Sequence, residues 1–126
     1  MDTACTILLV DDDPTLIAVL AAVLRKNKYT VITAGSGEQA LELLRTHTVS
    51  AIITDQHMPK MSGTALLEQI AASGSDIPGI LVTGSGSFDE EVHSQKPGIS
   101  AILFKPIGSR TLIRTLERVL GASTSH

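Results

Sequence analysis

The sequence predicts an open α/β fold in which strands and helices alternate and the strands form one parallel sheet. Five short apolar runs recur along the 126 residues, and the segments between them carry apolar residues at helical spacing. Most runs are apolar throughout, as in ILLV, AIIT, GILV and AILF. Such strands hide both faces, which favours a parallel sheet covered by helices on each side. Repeated alternation of this kind implies right-handed crossovers.

The predicted strands coincide with the apolar runs Ile7–Val10, Tyr29–Ala34, Ala51–Thr54, Gly79–Thr83 and Ala101–Phe104. The first helix opens near Pro14, which suits a first helical turn. Ser36 or a neighbour caps the second helix, the third ends before Gly74, and the last is closed by Gly121.

The fourth connection is a weak helix candidate. Ser87 offers a cap, but Phe88 and Val92 are its only apolar residues, and Pro97 with Gly98 stops it. We expect this segment to be the least stable part of the fold.

Length and composition exclude several classes of protein. The 13.3 kDa chain predicts a single domain over residues 1–126, with a core of about 5–121 and a frayed tail over 122–126. A net charge of −3 and three aromatic residues argue against direct nucleic-acid binding. The lone Cys5 excludes an internal disulfide. Because no apolar run approaches the ~20 residues of a membrane span, we expect no membrane insertion and a cytoplasmic location.

Polar side chains stand where the predicted strands end. The first strand is followed by Asp11–Asp13, the third by Asp55, the fourth by Thr83 and Ser85, and the fifth by Lys105. In parallel sheets these ends share one edge, where sites form. Carboxylates crowded there are costly unless a cation lies among them, and oxygen ligands of this kind suit Mg²⁺. A carboxylate can also act as a nucleophile toward a phosphoryl group.

Each of these residues has an ordinary structural explanation when taken alone. An acidic run often caps a helix, Asp55 often marks a turn, and Lys105-Pro106 only favours an extended backbone. Their coincidence at four strand ends favours the functional interpretation.

Four motifs in this order resemble the receiver domain of two-component response regulators, over nearly the whole chain. They are ILLVDDDP from Ile7, ITDQHMPKMSG from Ile53, LVTG from Leu81 and LFKP from Leu103. The resemblance implies a flavodoxin-like doubly wound domain, with strand order 2-1-3-4-5 and five flanking helices. It also implies a signalling domain rather than an enzyme, although such domains assist their own phosphorylation and dephosphorylation.

The resemblance also implies a role for each site residue. Asp55 would accept a phosphoryl group from the phosphohistidine of a histidine kinase or phosphotransfer domain. Mg²⁺ would be bound directly by Asp12, Asp55 and the backbone carbonyl of His57, and through water by Asp11. Thr83 would move toward the phosphoryl group and Lys105 would pair with it.

Departures from the family pattern affect regulation and output. Ser62 replaces a common aspartate at a turn, and Ile102 stands where an aromatic switch residue is usual. Phosphorylation would then be coupled to the face formed by the fifth strand and the helix before it through Thr83 and the movement of the backbone. His57 and Ser85 occupy positions that tune dephosphorylation in this family. Ile102 and the weak fourth connection favour the receiver of a hybrid sensor kinase, with a free-standing regulator as the alternative.

Three other interpretations remain open from the sequence. The stretch Gly35-Ser36-Gly37-Glu38-Gln39-Ala40 fits a dinucleotide-binding pattern, with Asp55 as the ribose-binding acid. A haloacid-dehalogenase-like phosphatase would use Asp11 as nucleophile and Asp13 as general acid. A degenerate receiver would only bind proteins. Output in every receiver interpretation depends on downstream proteins or on domains of a parent chain.

Overall fold

The structure of the protein, a computed structural model, describes residues 5–84 and 96–123. Strands and helices alternate as predicted: β1 (Thr6–Val10), α1 (Pro14–Lys26), β2 (Thr30–Ala34), α2 (Gly37–Leu44), β3 (Ala51–Asp55), α3 (Gly63–Ala72), β4 (Gly79–Thr83), β5 (Ile99–Phe104) and α4 (Ser109–Ser123). All paired strands are parallel, in the order β2-β1-β3-β4-β5. The predicted flavodoxin-like sheet is confirmed.

Several boundaries differ from the prediction. β5 begins at Ile99, two residues early, where the register shifts between Gly79 and Ile80 of the neighbouring strand. The predicted helix end at Gly121 is wrong, because α4 continues through it to Ser123. Four of the five predicted helices lie in the described residues. The candidate helix at Ser87, Phe88 and Val92 lies outside them, as do Ser85 and residues 124–126 of the predicted tail.

Short polar side chains fix the start of three helices. Asp13 caps α1 by accepting hydrogen bonds from the backbone N–H groups of Thr15 and Leu16, with Pro14 at the first helical position. The Ser36 hydroxyl accepts from Gln39 N–H at the start of α2, as predicted. Ser62 caps α3 by accepting from Ala65 N–H. The serine at this unusual position therefore starts a helix as well as forming a turn.

Two apolar layers hold the helices against the sheet. On one face, Leu20 and Leu24 of α1 and Leu112 and Leu116 of α4 pack on the odd-numbered residues of β1 and β3, including Ile53, and on Ile80 and Val82 of β4. On the other face, α2 and α3 pack on the even-numbered residues of β1 and β3 and on Leu81 of β4; this layer includes Leu8, Val10, Ile52, Leu66 and Leu67. Burial on both faces explains why β1, β3 and β4 are apolar over most of their length. Within the described residues, no helix is both long and apolar enough to cross a bilayer.

Candidate functional site

The polar strand ends meet at one edge of the sheet, as the sequence predicts. The chain order of strands reverses between β1 and β3, and such switch points carry the sites of open α/β folds. Backbone hydrogen bonds tie the strand ends together just beyond the regular ladder. Asp11 N–H donates to Ala34 O at 3.1 Å, Gln56 N–H to Val82 O at 2.8 Å, and Lys105 N–H to Thr83 O at 2.8 Å. The loops that follow these strands therefore start from fixed positions.

Three carboxylates converge at this edge. Asp11, Asp12 and Asp55 each place one carboxylate oxygen within 4.8 Å of the other two. Asp11 and Asp55 are buried, at 5% and 4% exposure, while Asp12 is exposed. The cluster is thus open to solvent on one side and enclosed on the other.

The two oxygens of Asp55 have different partners. Oδ1 lies 2.8 Å from the Lys105 ammonium nitrogen, and this ion pair is its only polar contact among the described residues. Oδ2 accepts a hydrogen bond of 3.1 Å from the backbone N–H of His57. Both contacts orient the carboxylate, and the half-exposed lysine side chain forms one wall of the site.

Burial and like charge act against the ionised form of Asp11. Burial raises the pKa of its carboxyl above 3.8, and the nearby charge of Asp55 raises it further, although the Asp13 N–H bond to Oδ1 at 2.9 Å works in the opposite direction. For Lys105, burial favours the neutral amine, but the contacts with Asp55 and the charge of Asp11 outweigh it and raise its pKa above 10.5. The carboxylate of Asp55 therefore adjoins one opposite charge, that of Lys105, and the like charges of Asp11 and Asp12.

The three carboxylates fit a magnesium ion. All are hard oxygen donors, the donor type that Mg²⁺ takes in proteins. A divalent cation would also relieve the repulsion that raises the pKa of Asp11. Lys105 neutralises only one of the three negative charges, so the cluster retains an excess that a cation would balance.

Thr83 and His57 meet at the side of the site next to β4. Thr83 is fully buried, and its hydroxyl donates to Gly84 O at 3.1 Å. The same hydroxyl oxygen lies 3.4 Å from Nε2 of His57, whose side chain is exposed. Sequence reasoning placed His57 near the acceptor but missed this contact with Thr83, because loop conformation decides it and no periodic pattern reports it.

Gly63 explains how α3 approaches the acceptor strand so closely. A Cβ atom on Gly63 would overlap the backbone carbonyl oxygen of Asp55 and stand 2.7 Å from Leu81 Cδ1. Gln56, which follows Asp55, also binds the start of α3 by accepting from the Thr64 N–H and hydroxyl at 2.8 and 2.7 Å. Gly63 therefore determines the shape of the site, in keeping with the motif.

Ile102, in the usual place of an aromatic switch residue, lies partly buried in the layer under α2 and α3. It packs beside Leu81, its partner in β4. With an aliphatic side chain held in this layer, position 102 has no aromatic ring to exchange between inward and outward orientations.

Hydrogen bonds near the starts of α1 and α2 already use groups that the phosphatase and dinucleotide-binding interpretations require. Asp13, the general acid of a phosphatase mechanism, uses Oδ1 to cap α1. In the Gly35–Ala40 stretch, Gln39 Oε1 accepts from Gly35 N–H at 2.7 Å and Ser36 Oγ accepts from Gln39 N–H at 3.1 Å. Side chains of the chain itself thus occupy backbone donors that a dinucleotide phosphate would need.

Comparisons with known proteins point to one family. The family model described as the response regulator receiver domain matches residues 7–117. The transcriptional regulatory protein ZraR of Escherichia coli is 37% identical over 119 residues, which cover 94% of this chain and 27% of that protein. The chain thus spans about a quarter of the length of the first curated relatives it matches.

Solved structures agree with this comparison. The signal receiver domain of an HD domain-containing protein from Pseudomonas fluorescens gives a TM-score of 0.90 at 29% identity, covering 98% of this chain and all of that one. The receiver domain of the sensor histidine kinase PA1611 from Pseudomonas aeruginosa gives 0.83 at 29% identity, covering 94% and 99%. That structure holds a magnesium ion in its active-site cleft.

Proposed function

Because the chain belongs to the response regulator receiver family of two-component signalling proteins, we propose that Asp55 is its phosphoacceptor. The observation that carries this proposal is the environment of Asp55. Its buried carboxylate is paired at 2.8 Å with Lys105 and adjoins the carboxylates of Asp11 and Asp12. A structural ion pair alone would not require two further acids beside it, since they oppose its burial.

The reaction is a transfer of one phosphoryl group between proteins. A carboxylate oxygen of Asp55 attacks the phosphorus of a phosphohistidine, a P–O bond forms, and the P–N bond to the imidazole breaks. The imidazole of the donor keeps the electron pair and takes up a proton. The donor is a histidine kinase or a phosphotransfer domain.

Residues around Asp55 supply charge and hydrogen bonds to the transferred group. Lys105 pairs with a phosphoryl oxygen once Asp55 carries the acyl phosphate, and Thr83 turns its hydroxyl from Gly84 O toward another phosphoryl oxygen. Asp12, Asp55 and the His57 carbonyl would hold Mg²⁺ directly, with Asp11 acting through water. Bound Mg²⁺ supplies neutralisation of negative charge on the phosphoryl oxygens.

His57 changes the lifetime of the acyl phosphate in this proposal. Its ring reaches Thr83 from the exposed side of the site, where an attacking water would approach. Replacing it with asparagine removes the ring but keeps a polar side chain. We expect His57→Asn to change the dephosphorylation rate and to leave phosphorylation intact; equal rates would contradict the role. Ser85, the second predicted tuning position, lies outside the described residues.

Output goes to partner proteins or to other domains of a parent chain. The chain spans only about a quarter of its transcriptional-regulator relatives, so the receiver fits both a longer regulator and a hybrid sensor kinase. With Ile102 in place of an aromatic residue, we propose that phosphorylation is transmitted by Thr83 and the β4 backbone. The Lys105 N–H bond to Thr83 O carries that movement to β5.

The test is the intact mass of the protein after incubation with phosphoramidate, with and without Mg²⁺. We expect one added phosphoryl group that requires Mg²⁺ and is lost in Asp55→Asn. Asp76→Asn, the same change at an exposed aspartate, is the matched control and should be labelled like the wild type. Absence of both labelling and Mg²⁺ binding would support a degenerate, protein-binding receiver. Turnover of a small phosphomonoester that survives Asp55→Asn would support the phosphatase.

A further inference from the structure

Positive charge is concentrated in two segments of the chain. Residues 14–34 and 105–126 hold seven of the ten Lys and Arg residues and only one acid, Glu117, a formal charge of +6. The rest of the chain, with three basic and twelve acidic residues, carries −9. The two segments include α1 and α4, which share one apolar layer. The net charge of −3 therefore conceals a strongly asymmetric molecule.

The outer surface of α4 carries a row of arginines. Arg110, Arg114 and Arg118 are exposed and stand four residues apart, so they follow one side of the helix at a rise of about 6 Å each. Leu112, Leu116 and Val119 form the buried side of the same helix. The row is thus directed away from the core.

A cleft joins this row to the end of α1. Asn27 lines it together with Ser109, Arg110, Ile113 and Arg114, and its volume is about 270 Å³. Lys26 and Lys28 flank Asn27 in the chain and are exposed. Ile113 is half-buried and gives the cleft an aliphatic wall between two arginines. We call this surface the basic face: Lys26, Lys28, Arg110, Arg114 and Arg118.

Among the described residues, no ion pair neutralises a charge of the basic face. In the part of the chain that the structure describes, ion pairs within 4.0 Å join Lys96 to Glu68 and Lys105 to Asp55, and neither involves the basic face. Five cations on one surface repel one another, and an acidic partner would relieve this repulsion.

We propose that the basic face is a docking surface for an acidic protein segment, independent of phosphoryl transfer at Asp55. Carboxylates of the partner pair with Arg110, Arg114 and Arg118, whose planar guanidinium groups match carboxylate geometry. One aliphatic side chain of the partner packs on Ile113. A protein fits better than a nucleic acid, since the chain as a whole is negative and the face and its cleft contain no aromatic residue for base stacking.

The test uses the whole chain and a labelled 15-residue helical peptide of glutamate and alanine with one central leucine. Fluorescence anisotropy at low ionic strength should show saturable binding. Binding should weaken at least tenfold in Arg110→Glu/Arg114→Glu, and about threefold in Ile113→Ala. Arg45→Glu, a charge reversal at an exposed arginine outside the basic face, is the matched control and should change binding less than twofold.

Three outcomes would overturn the proposal. Equal weakening by Arg45→Glu would show that only overall charge matters. Wild-type affinity in the double variant would show that the basic face is not the binding surface. Tighter binding of a 20-base-pair DNA duplex that is lost in the double variant would reassign the face to nucleic acid. Labelling by phosphoramidate and thermal melts of each variant verify that the fold and the Asp55 site are unchanged.

Discussion

Replacing Asp11 with asparagine should stabilise the metal-free protein. Asp11 is 5% exposed and has a carboxylate oxygen within 4.8 Å of one on Asp55. Two such charges repel by about 3.5 kcal/mol at an effective dielectric constant of ~20. Attraction to Lys105 offsets part of this cost, while an asparagine oxygen can still accept the Asp13 N–H bond. We expect a net gain of about 1–2 kcal/mol, or roughly 4–8 °C in Tm for a chain of this size.

The gain should depend on pH in a defined direction. Because the pKa of Asp11 is raised in the folded state, the fold favours the protonated carboxyl over the ionised one. The stability gained by protonation is complete below pH 3.8 and is lost as pH rises through the folded-state pKa. The wild type therefore bears the full cost at neutral pH, and the asparagine variant bears none. The difference in the free energy of unfolding should be largest near pH 7 and should shrink as pH is lowered toward 4.

In the presence of Mg²⁺, the wild type should become more stable than Asp11→Asn. A ligand at 100 times its Kd stabilises the folded state by about 2.7 kcal/mol, and the variant, with one carboxylate fewer, should gain less. The assay is urea denaturation at several pH values, in EDTA and in Mg²⁺, with Asp76→Asn as the control. A variant less stable than the wild type in EDTA at pH 7, or an equal gain in the control, would refute the electrostatic argument.

Further stability predictions follow from particular contacts, each measured by urea denaturation. Gly63→Ala should lower the free energy of unfolding by about 2–3 kcal/mol and reduce phosphoramidate labelling, because the new methyl group meets the Asp55 backbone. Gly121→Ala should instead stabilise α4 by about 1 kcal/mol, because a Cβ at this position meets nothing within 4 Å. Lys28→Gly should stabilise by about 1 kcal/mol, since Lys28 has a φ of 78° after α1. Lys105→Met should lower the free energy of unfolding by about 1–2 kcal/mol, because it removes the ion-pair partner of Asp55. Since the pKa of Lys105 is raised in the folded state, this loss should persist from neutral pH to about pH 10 and fade above the folded-state pKa. An unchanged stability in Gly63→Ala or a loss in Lys28→Gly would contradict the respective contact.

Periodicity and strand-end chemistry were sufficient to predict most of the fold and the site. Continuous apolar runs identify a strand buried on both faces, and this burial is observed for β3 and β4. Because parallel strands share one carboxyl edge, Asp11, Asp55, Thr83 and Lys105 could be placed together without coordinates.

Features set by loops and by the surface were not predictable in this way. The contact of His57 with Thr83 depends on the backbone path after β3, and the end of α4 beyond Gly121 depends on packing that outweighs the low helix propensity of glycine. The basic face was hidden by the net charge, since a sum over the chain contains no information on position.

The backbone bonds that tie the strand ends have a consequence for how this domain tolerates change. Asp11, Gln56 and Lys105 are anchored through their own peptide N–H groups, so the hydrogen bonds that position the strand ends do not involve the aliphatic side chains of the layers beneath. Exchanges between aliphatic residues of similar volume in those layers should be tolerated, because they leave the spacing of the reactive side chains unchanged. An insertion of one residue between a strand and its anchor would break that spacing at once. The aliphatic layers of the domain can therefore vary in sequence at constant volume while the reactive side chains keep their positions.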